Sequence, residues 1–365
     1  MTATVLPDPA TEIRITALHA TRGLNYWSKR PVIRLDLAVG AFEEISSADV
    51  AGFTDVLLSV MPGLHEHQCS IGTRGGFIIR LRRGTYAPHI IEHVALELQT
   101  MIGHEVGYGR TRRGDDPDEY TLVFEHRHEH VGLRAAALAL EVVQRAFAGT
   151  LESVDTAVQE LAALAETPDT PPLHQRVFCG ITGGAARAET QAELSRRVAD
   201  LCEEPLVIDV SPAYLLRAGL PYSRSELAII LDAELSDVPE RYRDPERARR
   251  LISTVADAVR RDGLVVCPAR EWEIQDYARE EHCRVAIFST GDDITRRDQR
   301  VASALGFVRD GRILIQHETA PEDAGPIDSE VPPAAQVAAA LAAHMVRAGA
   351  PNAPARLRAD GVAVT

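Results

Sequence analysis

Cysteine is scarce. The 365-residue chain has five (Cys69, Cys179, Cys202, Cys267 and Cys283), an odd number with no C-x-x-C spacing. A disulfide framework and a cysteine-rich zinc module are therefore not expected. Long apolar runs are missing too: no stretch approaches the ~20 residues that a membrane span needs. The first residues, MTATVLPDPATEIRI, have neither the basic start nor the apolar core of a signal peptide. Positive charge is in deficit, with 39 Lys and Arg against 53 Asp and Glu, for a formal net charge of −14. That balance argues against a surface built to coat nucleic acid or a membrane. The expectation is a soluble cytoplasmic protein, with neither nucleic acid nor membrane as partner.

What is present is an ordinary globular balance, 45% hydrophobic and 25% charged, in a chain long enough for about two domains. Histidine is unevenly placed. Eight of the thirteen (His65, His67, His89, His93, His104, His126, His128 and His130) fall between residues 65 and 130, where even scatter would put about two. Histidine is the commonest metal ligand and the natural acid–base group near neutral pH.

The element pattern divides the chain. Residues 1–10 read as a frayed leader, EIRITALHA and PVIRLDLAV as strands, ADVAGFTDVLLSV as a helix and GGFIIRLRRG as an alternating strand. Pro88 opens the helix HIIEHVALELQTMIG and Gly103 closes it. EVGYGRT and EYTLVFEHR read as strands, and a long alanine-rich helix runs from Glu129 to Phe147. This order is α+β over residues 11–150. A helix and the proline-rich ETPDTPP then fill 151–172, where the domain boundary is expected. From 173 to 317 the runs RVFCGIT, EPLVIDV, ELAIILDA, GLVVCP and RVAIFST alternate with helix patterns that begin after Arg187, Asp244 and Trp272. Near-continuous apolar strands with intervening helices indicate a parallel, doubly wound α/β sheet. FVRDGRILI reads as a terminal hairpin. Residues 318–365 read as an acidic, proline-rich segment, an alanine-rich helix over 334–347 and a disordered tail beyond Pro351.

The sharpest chemical signal is His89-Ile-Ile-Glu92-His93. On a helix, residues four apart share a face, so His89 and His93 can present imidazoles to one zinc ion. Glu92 would take a proton from metal-bound water, as in the inverted H-x-x-E-H arrangement. A third ligand is needed. Glu97 is two turns beyond His89 and points at a different height. Glu129 and Glu125 in FEHRHEHVG are the better candidates, with His126 and His128 behind them. Against them, Glu125 reads equally as a solvated strand carboxylate and Glu129 as a helix-start carboxylate facing the dipole. His65, His67 and Cys69 form a weaker half-site in a polar loop. Arg74, Arg110, Arg112 and Arg113 could clamp carboxylates bidentately, and Tyr86 and Tyr108 could steady a tetrahedral intermediate.

RGLNYWS, RLDL, LHEHQCSIGTRGGF, GTYAPHIIEHVALELQ, VGYGRTR and YTLVFEH occur in an order that resembles the N-terminal domain of the cyanophycin synthetase family, over roughly residues 12–148. Cyanophycin is a poly-aspartate chain with arginines on its side-chain carboxylates. The resemblance implies a domain that holds the growing polymer and that in some members acts as a metal-dependent hydrolase. RVFCGITGGAARAET and SPAYLLRAGLPYSRSELAIILDAEL more faintly resemble the family's Mur-ligase-like domain. The phosphate loop is altered there. Gly183 and Gly184 remain, followed by Ala185, Ala186, Arg187 in place of Lys, and Ala188-Glu189 in place of the hydroxyl pair. Asp209, Pro212-Ala213 and Asp232-Ala233-Glu234 also depart from the family pattern. The segments run on without the ATP-grasp domain that separates them in the family, so a complete synthetase is not expected.

These readings give an expected zinc-dependent peptidase acting on cyanophycin or an aspartate-rich or β-aspartyl peptide, with Zn2+ as cofactor and ATP/Mg2+ not expected. Its Mur-ligase-like half would be inactive, and the family resemblance implies a homo-oligomer. The alternative is a non-catalytic polymer-binding or regulatory partner of a cyanophycin synthetase. A third reading is an ATP-dependent amide ligase of a specialised pathway.

Overall fold

A computed structural model describes residues 6–169, 173, 175–201, 205–291, 293–318 and 320–349. The chain divides into two compact units. The first takes the described residues to Arg22 and from Arg30 to Asp169; the second takes Gly23–Lys29 and the described residues from Leu173 onward.

The first unit is α+β. It runs α1 (Pro9–Glu12), β1 (Arg14–Ala20), β2 (Val32–Ala38), α2 (Phe53–Val60), α3 (Gly76–Arg83), α4 (Ala87–Met101), β3 (Gly109–Arg113), β4 (Glu119–Glu125), α5 (Glu129–Phe147) and α6 (Asp155–Ala165). The four strands form an antiparallel sheet in the order β1-β2-β4-β3. Helix α4 packs against β3, β4 and α5, and twelve of its fifteen residues are buried. Its sequence is apolar nearly all round, which is what a central helix requires. Glu92, His93 and Glu97 are buried along with the apolar positions, so this helix carries ionisable groups into the unit's interior.

Two sequence expectations change here. GGFIIRLRRG is not a strand: Gly76–Arg83 is helix α3, and Phe77, Ile78 and Leu81 are buried. Apolar residues at i, i+1 and i+4 fit a helical stripe, and the alternation of Leu81 with arginines imitates a strand over a few positions. Part of the supposed leader is ordered, because Asp8 caps the short helix α1, accepting from the Ala10 amide.

The second unit is α/β and doubly wound. Its elements are β5 (Arg176–Thr182), α7 (Arg187–Val198), β6 (Val207–Asp209), α8 (Pro212–Ala218), β7 (Arg224–Ile230), α9 (Pro245–Ile252), α10 (Thr254–Asp257), β8 (Val259–Pro268), α11 (Trp272–Glu280), β9 (Arg284–Phe288), α12 (Arg296–Val301), β10 (Ala304–Arg309), β11 (Arg312–Gln316), β12 (Glu322–Pro326) and α13 (Pro333–Arg347). The sheet order is β12-β11-β10-β9-β8-β7-β5-β6. Strands β6 to β10 pair in parallel, while β10, β11 and β12 are antiparallel. The alanine-rich α13 buries eleven residues and packs with α7 and the strands β8 to β11. Small side chains let it lie close to Gly306 of β10, whose missing Cβ would stand 3.2 Å from the Leu341 Cβ. The segment read as acidic and irregular contains the edge strand β12. The tail beyond Pro351, three of the linker residues (170–172) and Cys202 lie outside the described residues.

Candidate functional site

A groove of about 1060 Å³ in the first unit is lined from four directions: the loop that includes Gly63, Glu66, His67 and Cys69; Arg80 of α3; the exposed edge of α4; and β3 with the residues before it. Pro88 starts α4 so that His89 and His93 project one turn apart, their ring centres 4.8 Å from each other. Thr85 Oγ1 lies 2.9 Å from His89 Nδ1 and orients that ring, leaving Nε2 3.3 Å from the Cys69 sulfur. His93 stacks on Phe77 of α3, with ring centres 3.9 Å apart. Its Nδ1 is 2.8 Å from Nδ1 of His67, whose Nε2 meets Glu97 Oε2 at 3.0 Å. Cys69 stands at a left-handed backbone position, φ +54°.

The structure thus gathers Cys69, His89 and His93, with one donor atom of each lying within 4.8 Å of the others. A thiolate with two imidazoles is a donor set that could hold a borderline-soft divalent ion. Glu92 belongs to another contact. It accepts a hydrogen bond from Thr111 Oγ1 and lies against Gly109 of β3, facing the strand rather than the three donors. Burial raises its pKa to about 7, against the opposing effects of the Thr111 hydrogen bond and the Arg112 charge. Burial lowers His89 to about 4, with Arg80 adding to the effect. It lowers His93 to about 2, reinforced by His89, His67 and Arg80.

Neither carboxylate favoured as a third ligand joins the histidine pair. Glu125 accepts from Arg30 Nη1 at 2.7 Å and from the amides of Gly107 and Tyr108 at 3.3 and 3.4 Å. Glu129 is held by Arg22 Nε at 2.7 Å. Both are absorbed by ion pairs that a linear reading of FEHRHEH could not reveal. His126 and His128 also stand outside the donor set. Arg74 pairs with Glu66 and does not line the groove, and Arg113 pairs with Glu43 at 2.6 Å. Arg110, Arg112, Tyr86 and Tyr108 do line it. Among the described residues Arg80, Arg110 and Arg112 form no ion pair and no side-chain hydrogen bond. The sequence reading passed over Arg80, Thr85 and Thr111, set Glu97 aside as a ligand, and rated His67 and Cys69 a weaker half-site in a polar loop. H-E-H-Q-C was the available signal, but its relation to α4 is set by the turn at 69–71 and by α3.

In the second unit, the turn after β5 leads into α7 as a phosphate loop would. Its occupants are internal. The Arg187 guanidinium donates to the carbonyls of Gly183 and Gly184, the latter at 2.9 Å. The Gly184 amide donates to Asp232 Oδ1 at 2.7 Å. Asp209, at the end of β6, is 3.9 Å from Arg187 Nε.

Residues 33–148 match the family model of the cyanophycin synthase-like N-terminal domain, and they contain every residue that lines the groove. A cyanophycin synthetase of Geminocystis herdmanii is 32% identical over 250 residues, covering 62% of this chain and 28% of that protein. The cyanophycin synthetase of a Synechocystis species is 47% identical over 125 residues, covering 33% of this chain and 14% of that one. The chain therefore spans less than a third of the length of these curated relatives. Among solved structures, the MurF ligase of Thermotoga maritima in complex with ADP is similar at 11% identity and a TM-score of 0.34, covering 54% of this chain and 50% of that one. At that score the architecture of the second unit is read from its own strand order.

These comparisons overturn the expected zinc-dependent peptidase. The relatives are named synthetases, enzymes that form bonds at the expense of a nucleoside triphosphate, and hydrolysis is the opposite direction. The cofactor expectation falls with it: zinc as the cofactor, with ATP/Mg2+ unexpected, does not fit relatives of that name. The geometry agrees on one point, since Glu92 is turned to Thr111 and not to the histidine pair.

Proposed function

We propose that this chain serves cyanophycin synthesis as a polymer-binding protein, with the groove of its cyanophycin synthase-like unit holding the aspartate-rich chain. The observation that carries this reading is the set of three unpaired guanidiniums, Arg80, Arg110 and Arg112, on one groove in a chain of net charge −14. The acidic groups lining the same groove are already engaged: Glu66 by Arg74, Glu97 by His67, and Glu92 by Thr111. The three guanidiniums are therefore the lining charges left without a bonded partner, and they can meet an anionic ligand. Each arginine of cyanophycin carries a free α-carboxylate, which a guanidinium binds in a fork with two parallel hydrogen bonds. The polymer's own guanidiniums can stack on the exposed ring of Tyr86 and on Tyr108. The volume, about 1060 Å³, suits several residues of polymer rather than one amino acid.

Co-sedimentation of the full chain with insoluble cyanophycin tests this reading. The wild-type chain pellets with the polymer, and the R110A/R112A variant binds at least about tenfold more weakly, the loss of two charge-assisted contacts. Equal pelleting of the two proteins would remove the groove from the account. Location in the cytoplasm fits the free thiols of Cys69, Cys179, Cys267 and Cys283.

A second reading, ATP-dependent amide ligation, draws on the strand, glycine turn and helix at β5 and α7, and on the names of the relatives. Phosphates would have to displace Asp232 from the Gly184 amide, with Arg187 supplying the cation. Calorimetry with ATP and magnesium, in the wild type and in D232N, separates the two readings. Saturable binding that is tighter in D232N supports ligation, and no heat in either protein leaves polymer binding alone.

A further inference from the structure

Strand β3 stands at one edge of the first unit's sheet and pairs with β4 alone. In an antiparallel pair, successive residues turn their backbone groups alternately towards the partner strand and away from it. The Glu125 amide donates to the Tyr108 carbonyl at 2.8 Å and the Gly114 amide to the Glu119 carbonyl at 2.5 Å, so residues 108, 110, 112 and 114 face β4. Gly109, Thr111 and Arg113 then direct their amides and carbonyls outward. Among the described residues no hydrogen bond reaches those outward groups. The register of β3 on β4 is continuous and the strand holds no proline, whereas at the opposite edge the register of β1 shifts between Ile15 and Ala17. An edge left open in this way accepts another strand. The groove runs along it. Residues 106–112 line the groove without a gap, although alternate residues of a strand belong to opposite faces of the sheet. Thr111 Oγ1 reaches Glu92 on the α4 side, so Arg110 and Arg112 stand on the other face. Both faces border one groove only where it passes the edge of the strand.

We infer that β3 is a template on which an extended aspartyl polymer adds as a fifth strand of the four-stranded sheet, its main chain paired with Gly109 and Thr111. The inference rests on the reading of the groove as polymer-binding and says how the polymer is held there. Arg110 and Arg112 repeat at about 6.7 Å, the rise of two residues in a strand. Every second residue of an extended polymer has the same spacing. One arginine branch in two therefore brings its α-carboxylate to a guanidinium, while the amides and carbonyls of the polymer's main chain meet the open edge. Main-chain pairing is blind to position along a uniform chain, so the site would grip a polymer of any length. A second copy of β3 is a poorer occupant, because Gly-Arg-Thr-Arg-Arg paired with itself sets arginines beside arginines.

The test is calorimetric titration of the full wild-type chain with synthetic six-unit cyanophycin segments, which asks nothing of a substituted protein. One segment is unmodified, one is N-methylated at every second main-chain amide, and one at every main-chain amide. An added strand turns only alternate amides to β3, and a uniform segment can slip by one residue to present its unmethylated set. The alternately methylated segment should therefore bind within about threefold of the unmodified one, and the fully methylated segment at least about tenfold more weakly. Equal affinity for all three, weakened by R110A/R112A, would keep the groove as the polymer's site and overturn strand addition. An equal loss for both methylated segments would overturn it as well. Binding of none of the three would remove the polymer-binding reading itself, and this inference with it. A ligand-free dimer in sedimentation, with the Gly109 and Thr111 amides already protected from exchange, would give the edge to a second copy and so overturn the inference too.

Discussion

The Cβ that Gly109 lacks would stand 2.5 Å from Glu92 Oε1 and 2.9 Å from its Cδ, so strand β3 approaches α4 at that point only because the residue is glycine. Gly109→Ala is expected to cost about 1–3 kcal/mol, the usual penalty of overpacking. G109A/E92A should recover most of it, a non-additivity measurable by denaturant unfolding of the two single variants and the double. Proton linkage gives a second prediction. His89 falls from 6.5 to about 4, and His93 from 6.5 to about 2, so the unfolded chain binds more protons in that range. Their contribution to stability is full above pH 6.5 and is lost as pH falls, through about 4 for His89 and on towards about 2 for His93. Glu92 has the opposite sign. Raised from 4.5 to about 7, it contributes fully below pH 4.5 and loses that contribution as pH rises through 7. H89Q should flatten the acid limb of a stability–pH profile, and E92Q the limb around neutrality. Parallel profiles for E92Q and wild type between pH 4.5 and 7 would show that Glu92 titrates normally. At this scale the sequence was partly legible. The His89 and His93 spacing forced a shared helical face, while the partners of Glu92, Glu125 and Glu129 came from strands and arginines distant in the chain.

Helix α4 and the hairpin β10–β11 show what an element declares about itself. Pro88 at the start, Gly103 beyond the end and an apolar run between them fix α4 without any tertiary knowledge. Its burial on nearly all sides makes truncation costly, and Leu98→Ala is expected to lose about 2–5 kcal/mol in thermal or denaturant melts. In the hairpin, Asp310 and Gly311 have φ of +49° and +70°, the paired left-handed turn that follows the twist of the strands. Nothing surrounds the Gly311 Cβ position, so Gly311→Val tests backbone strain alone and should cost about 1–2 kcal/mol. Helix α3 was not legible. Eight residues with a cationic alternation satisfy a strand template as well as a helical one, and what decides is the packing of Phe77 against His93. The edge strand β12 was hidden for a related reason: Glu322–Pro326 has no apolar pattern, and its pairing with β11 supplies the order.

Across the whole molecule, the chain falls into two compact units, and the second also takes Gly23–Lys29 from the N-terminal stretch, which no change in sequence patterning marks. Each unit has its own apolar core. Among the described residues no helix is long and apolar enough to cross a membrane. Net charge misleads at this scale. A value of −14 describes the whole chain, while three arginines without an ion pair line the groove. Polymer binding should therefore weaken as salt rises, because the contacts are charge pairs at an open surface. The most direct measurement is hydrogen exchange of the full chain with and without soluble cyanophycin. The account predicts slowed exchange at residues 66–70, the end of α3 and 107–113, with Gly183–Arg187 unchanged. Protection confined to the second unit, or no protection in either, would contradict it.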